Sequence, residues 1–95
     1  MMFISDARAT HIFRKDKGHL EDTFESRQLV LEIASNSAYY DGTDMFQNVW
    51  YSKKLTEDTQ LWIQVRGEEI WNAGTNSPPR IWNDKTGYSL PYRRK

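Results

Sequence analysis

The spacing of apolar residues changes period once along the chain, and that change limits the fold more than any other feature. Leu29, Val30, Ile33 and Ala34 recur every three to four residues, the buried stripe of a helix. Thr23 offers an N-cap, and Glu25 puts an acid in the first turn, where the helix dipole favours it. Asn36 and Ser37 end the run, so a helix is predicted over residues 23–35. From residue 48 onward the period is two. In the run 60–66, Leu61, Ile63 and Val65 share one face while Gln60, Trp62, Gln64 and Arg66 share the other. Gly67-Glu68 reads as a two-residue hairpin loop with glycine first, and residues 69–73 return antiparallel.

Weaker signals fill in the rest. Residues 48–53 read as a strand, Thr56-Glu57-Asp58-Thr59 as a turn, and Tyr39-Tyr40-Asp41-Gly42 as another turn. Gly74, Asn76, Ser77, Pro78 and Pro79 predict a loop, Arg80-Ile81-Trp82 a short last strand, and residues 83–87 a turn. Residues 1–21 show no clean period, with Ile12 and Phe13 as apolar anchors. An irregular start, a helix and then a meander of strands predict an α+β fold, with the helix on one face of an antiparallel sheet. The 95 residues suit one domain over 1–95, with no interdomain linker. So short a chain has a modest core. Its 4 Trp, 5 Tyr and 4 Phe must supply much of that core or line a cleft.

Composition excludes several kinds of chemistry. There is no cysteine, hence no disulfide, no thiolate nucleophile and no Cys-type zinc site. Two histidines without an HExxH pattern make a poor metal set, and no Gly-rich phosphate loop or GxSxG elbow occurs, so neither metal nor cofactor is expected. No apolar run reaches the ~18 residues a membrane-spanning helix requires. Met1 to Asp6 lacks the cationic flank and length of a signal peptide, so export would depend on a signal elsewhere. Net charge is zero, from 13 basic and 13 acidic side chains. Even so, Arg8, Arg14, Lys15 and Lys17 against Asp16 form one basic stretch and Arg93-Arg94-Lys95 another, two places for an anionic ligand.

The residues able to do acid–base chemistry are few. His11 and His19 lie in the basic N-terminal stretch, and histidine is the natural proton-transfer group near neutral pH. RNA suits so small a set, because its own 2′-OH attacks the adjacent phosphate once a base, an acid and cations are in place. His11 and His19 are candidate base and acid; Arg14, Arg66 and Arg80 are candidate phosphate stabilisers. Trp62 and Trp82 are candidate stacking platforms, with Gln64 and Asn76 orienting substrate. The row Trp62, Gln64, Arg66 on a water-facing sheet surface would suit a nucleotide: a ring to stack, an amide to read, a guanidinium to hold phosphate. The same face would equally serve a non-catalytic module that binds a protein or a single-stranded nucleic acid.

Two runs carry a resemblance. His11-Ile12-Phe13-Arg14 followed by Gly18-His19-Leu20-Glu21-Asp22-Thr23, Arg27 and Leu29 resembles the start of a toxin domain found at the C-terminus of large bacterial secreted or contact-dependent inhibition proteins. Trp62 to Arg66, then Asn72, Gly74, Asn76, Pro79-Arg80 and Lys85-Thr86-Gly87, resembles the end of the same domain, so the likeness covers residues 11–87. The domain is similar to the barnase, EndoU, colicin and RelE group of ribonuclease folds. That resemblance implies an N-terminal helical segment on a four-stranded antiparallel sheet, and a metal-independent endoribonuclease that cuts tRNA or other cellular RNA. It implies export as part of a larger protein, action in the target-cell cytoplasm and neutralisation by a cognate immunity protein. It points to His11, His19, Gln64, Arg66, Asn76 and Arg80 as site residues, with Thr75 in place of a Ser or Thr that the group carries on its last strand. Gln47 and Ala73 stand where the group favours glycine.

Overall fold

A computed structural model describes residues 1–89; the basic run Arg93-Arg94-Lys95 lies outside the described residues. Two helices pack on one face of a four-stranded antiparallel sheet, an α+β arrangement with both helices in the N-terminal half. Helix α1 spans Asp6–Ile12 and α2 spans Phe24–Ala34. Strands β1 (Tyr40–Thr43), β2 (Val49–Thr56), β3 (Thr59–Arg66) and β4 (Glu69–Asn76) follow as a meander in the spatial order β1-β2-β3-β4.

Local chemistry accounts for each element. The Thr23 hydroxyl accepts the backbone N–H of Ser26 at 3.0 Å, which caps α2 where the sequence placed its start. Ser5 does the same for α1 by accepting the Arg8 N–H, and Asp6 sits in that first turn. Helix α1 is the element the apolar pattern did not predict. Seven residues give two turns, and only Ala9 and Ile12 are buried, too few to establish a period. Gly67 carries φ +60 and turns β3 into β4, as a glycine-first loop requires.

The strand boundaries bring three corrections. Edge strand β1, Tyr40–Thr43, takes in most of the turn expected over 39–42 and is entered through a 3-10 turn at Ser37–Tyr39. β4 continues through Gly74 and Thr75 to Asn76, where a loop was expected. Residues 80–82 form no strand. Pro78 and Pro79 have no N–H to offer a ladder. The Arg80 backbone pairs instead with one side chain: its N–H donates to Gln60 Oε1 at 3.1 Å, and its carbonyl accepts Gln60 Nε2 at 3.2 Å. The fourth strand is therefore β1 at the opposite edge, and residues 77–89 cross the sheet as an irregular strap.

The core lies between helices and sheet. Ile12, Phe13, Val30, Ile33 and Ala34 meet Leu61, Ile63, Val65, Ile70 and Ala73 there. The period-two reading of β3 holds on this face, where Leu61, Ile63 and Val65 are all fully buried. Each such side chain contributes about 1.5–3 kcal/mol through burial. α1 packs chiefly on β4, and α2 on β2 and β3.

Candidate functional site

The sheet face away from the helices is not the open surface its sequence suggested. Trp50, opposite Gln64 on β2, is 1% exposed. It packs against Trp62 at 5.6 Å, Tyr88 at 5.9 Å and Trp82 at 6.3 Å between ring centroids. The strap supplies Trp82 and Tyr88, so it roofs this aromatic cluster. Two glycines let it approach. Trp82 lies over Gly42, and the Trp50 ring occupies the space where a Cβ on Gly87 would go. Trp62 and Trp82 are thus half-buried packing residues rather than open platforms, and Trp82 Nε1 donates to Asp84 at 3.1 Å. Gln64 is half-buried between Trp50 and Asn72 in the sheet register.

Burial pushes the Tyr88 hydroxyl up to about 12, assisted by Asp41 and opposed by its hydrogen bond with Ser52, so it stays protonated. Asp44 is 5% exposed at the start of the same surface. Burial works to raise its carboxyl, but bonds donated by the Trp50 indole, the Asn48 side chain and the backbone N–H groups of Asn48 and Phe46 outweigh burial and hold it below the ordinary value.

A groove opens where the strap leaves the sheet. Its volume is about 560 Å³, and it is lined by Lys17, Gly18, Thr59 and the run from Thr75 to Arg80. Three segments distant in sequence build it. The loop between the helices is closed at its base, where Phe13 bridges Leu20 and the Arg14 N–H donates to the Leu20 carbonyl. That loop docks on the outer edge of β4 through a bond from the Thr75 N–H to the Gly18 carbonyl at 2.9 Å. Gly74 permits this docking: a Cβ there would lie 2.7 Å from the Gly18 carbonyl and 2.7 Å from the Trp62 ring. The strap forms the third wall. Asn76 Nδ2 donates to Gln60 Oε1 at 3.2 Å, the oxygen that also accepts the Arg80 N–H. Arg80 Nη1 donates to the Tyr88 carbonyl at 3.1 Å, which anchors the guanidinium. Among the described residues, the lining holds two cations, three hydroxyls and no carboxylate.

His19 follows Gly18 on this loop. The residue is half-buried, and its Nδ1 is buried with no hydrogen-bond partner among the described residues. Such orphaned polar atoms are uncommon in folded proteins and call for a reason.

The candidates from sequence therefore separate. Thr75, Asn76 and Arg80 come together at the groove, with His19 beside Gly18. Asn76 is 8% exposed and committed to Gln60, which makes it a holder of the strap more than a free recognition group. His11 is exposed in the last turn of α1, and Arg14 is exposed at the start of the loop. Arg66 does not join them. Thr75 pairs with Leu61, and five residues of strand, about 17 Å, separate Leu61 from Arg66. Arg66 donates through Nε to Asn48 Oδ1 at 2.7 Å and stacks on Trp71 instead. Sequence reasoning missed Lys17 and Gln60 as site residues. Lys17 had a signal, its place in the basic stretch; the role of Gln60 depends on where the strap crosses.

Fold and groove together define an α+β protein with a cationic cleft at one corner of its sheet. Set against protein-family models, curated proteins and solved structures, the chain matches none. Among the described residues, no helix is long and apolar enough to cross a membrane.

Proposed function

We propose that this protein is a metal-independent endoribonuclease of the toxin type. The observation that carries the reading is the groove, where Lys17, Thr75 and Arg80 surround a space with no opposing carboxylate among the described residues; His19, next in the chain to Gly18 of its lining, has a buried Nδ1 without a partner. Lys17 and Arg80 would hold the phosphodiester and stabilise the charge that builds on its oxygens. His19 takes the proton from the 2′-OH, and O2′ attacks the adjacent phosphorus. The P–O5′ bond breaks, and O5′ takes its proton from water. The products are a 2′,3′-cyclic phosphate and a 5′-hydroxyl. Thr75 donates a hydrogen bond to a phosphate oxygen, and Asn76 keeps Arg80 in place through Gln60. We further propose the setting that the sequence resemblance implies: delivery to a competitor cell as part of a larger exported protein, tRNA or another cellular RNA as target, and a cognate immunity protein.

The test is incubation with total bacterial RNA in excess EDTA, resolved on a denaturing gel, for the wild type and the His19→Ala and Arg80→Ala variants. Discrete products from the wild type, lost in both folded variants, are expected. Equal cutting by the variants would remove the groove from the reaction. The acid-free cationic lining also fits a second reading, a module that holds single-stranded nucleic acid without cutting it. Strong RNA retention with intact RNA would select that reading.

A further inference from the structure

We propose that Arg8 and Arg66, stacked on Trp71, form a second phosphate-contact site that holds the flanking part of a single-stranded RNA whose scissile bond lies in the groove. The inference rests on the ribonucleic-acid reading of the groove for its ligand class, but its geometry is independent. The Arg8 guanidinium carbon sits 3.9 Å from the Trp71 ring centroid and that of Arg66 sits 4.1 Å from it. The two cations are therefore within about 8 Å of each other. Arg8 reaches the ring from α1, on the helix side of the sheet, and Arg66 from β3, on the other side.

Both guanidiniums are fixed through Nε and use neutral acceptors. Arg8 donates to the Trp71 carbonyl at 2.9 Å and Arg66 to Asn48 Oδ1 at 2.7 Å. Asn48 is itself locked, because its Nδ2 donates to the Asp44 carboxylate at 2.9 Å. Among the described residues, neither arginine makes an ion pair. Glu69 faces Arg66 across the hairpin without pairing to it, and Asp44 is occupied by Trp50 and Asn48. Two oriented guanidiniums set about one ring, without an ion pair among the described residues, can each take a phosphate of one strand.

Position supplies the link to the groove. Trp71 and Thr75 both lie on β4, an edge strand, and its outer side takes the Arg8 side chain at Trp71 and the Gly18 carbonyl at Thr75. Four residues of strand, about 13 Å, separate the two points. An extended single strand along this edge would touch both, whereas a dinucleotide in the groove would not reach Trp71.

Binding of fluorescein-labelled 2′-O-methyl oligoribonucleotides, which resist cleavage, tests the proposal by anisotropy across a salt series. With an oligonucleotide long enough to span both points, Arg8→Gln and Arg66→Gln should each weaken binding about 3–10-fold and lower the salt slope by about one. Arg66→Lys, which keeps the charge but not the guanidinium, should restore only part of the loss. A 2′-O-methyl dinucleotide should bind the Arg8→Gln protein as it binds the wild type. Unchanged affinity for the long probe, or equal losses for both lengths, would overturn the second site, as would displacement of the long probe by polyglutamate as readily as by unlabelled RNA. These readouts do not depend on cutting: a wild type that leaves RNA intact yet shows the length-dependent loss defeats the nuclease reading and keeps this one.

Discussion

The two faces of the sheet are built on opposite principles. The helix-side face is aliphatic and dry, with Leu61, Ile63, Val65, Ile70 and Ala73 under Ile12, Val30 and Ile33. The far face combines four aromatic rings with Asp44, Asn48, Gln60 and Asn76, all buried and all hydrogen-bonded. Burial of apolar surface is non-directional and tolerates repacking. Directional bonds demand specific partners, and a buried group left without one costs about 1–3 kcal/mol. The aliphatic face therefore tolerates repacking, and the polar–aromatic face fixes the strap and, through Gln60 and Arg80, the wall of the groove.

Substitutions can break or sharpen this contrast. The largest expected loss is Ile63→Ala, at about 2–5 kcal/mol in urea unfolding, because its fully buried site leaves a cavity. Gly87→Ala comes next. Its φ is +66 and the added Cβ would run into the Trp50 ring, so the strap must lift. A cost of about 1–3 kcal/mol is expected, with a shift in tryptophan emission. If Gly87→Ala left emission unchanged, the strap would not be the roof of the aromatic cluster.

Asp44→Asn should cost about 2 kcal/mol near neutral pH, since an amide nitrogen would face donors. The carboxyl is held below its ordinary value in the fold, so its contribution is present above the unfolded-state value near 3.8 and is lost as pH falls through the folded value. The gap between wild type and Asp44→Asn should therefore close in acid below about pH 4. A constant gap across pH would mean packing, not charge, holds that corner. The smallest effect is a gain: Gln47 has φ +70, so Gln47→Gly should stabilise by about 0.5–1 kcal/mol in thermal unfolding.

The same contrast explains what the sequence revealed. The aliphatic face was legible because period two in β3 and period 3.6 in α2 are local signals. The Thr23 cap and the Gly67 turn were legible for the same reason. The far face was not. Trp62, Gln64 and Arg66 alternate like any exposed strand face, and nothing local says that Trp82 and Tyr88 fold back over Trp50. The groove was half legible. Thr75, Asn76, Arg80 and His19 stood out by chemical type, but their grouping with Lys17 depends on Gly18 docking at the edge of β4. Arg66 was assigned to the same phosphate as Arg80 because residue type carries no distance, and the strand register separates them.

The groove is proposed to cut RNA through its own 2′-OH. This is tested most directly by incubating the protein, in excess EDTA, with one RNA and with its fully 2′-O-methylated copy, then determining the end groups. Cleavage of the RNA alone, leaving 2′,3′-cyclic phosphate ends, is the predicted result. Cutting of both strands, or an intact RNA in the presence of folded protein, would contradict the account.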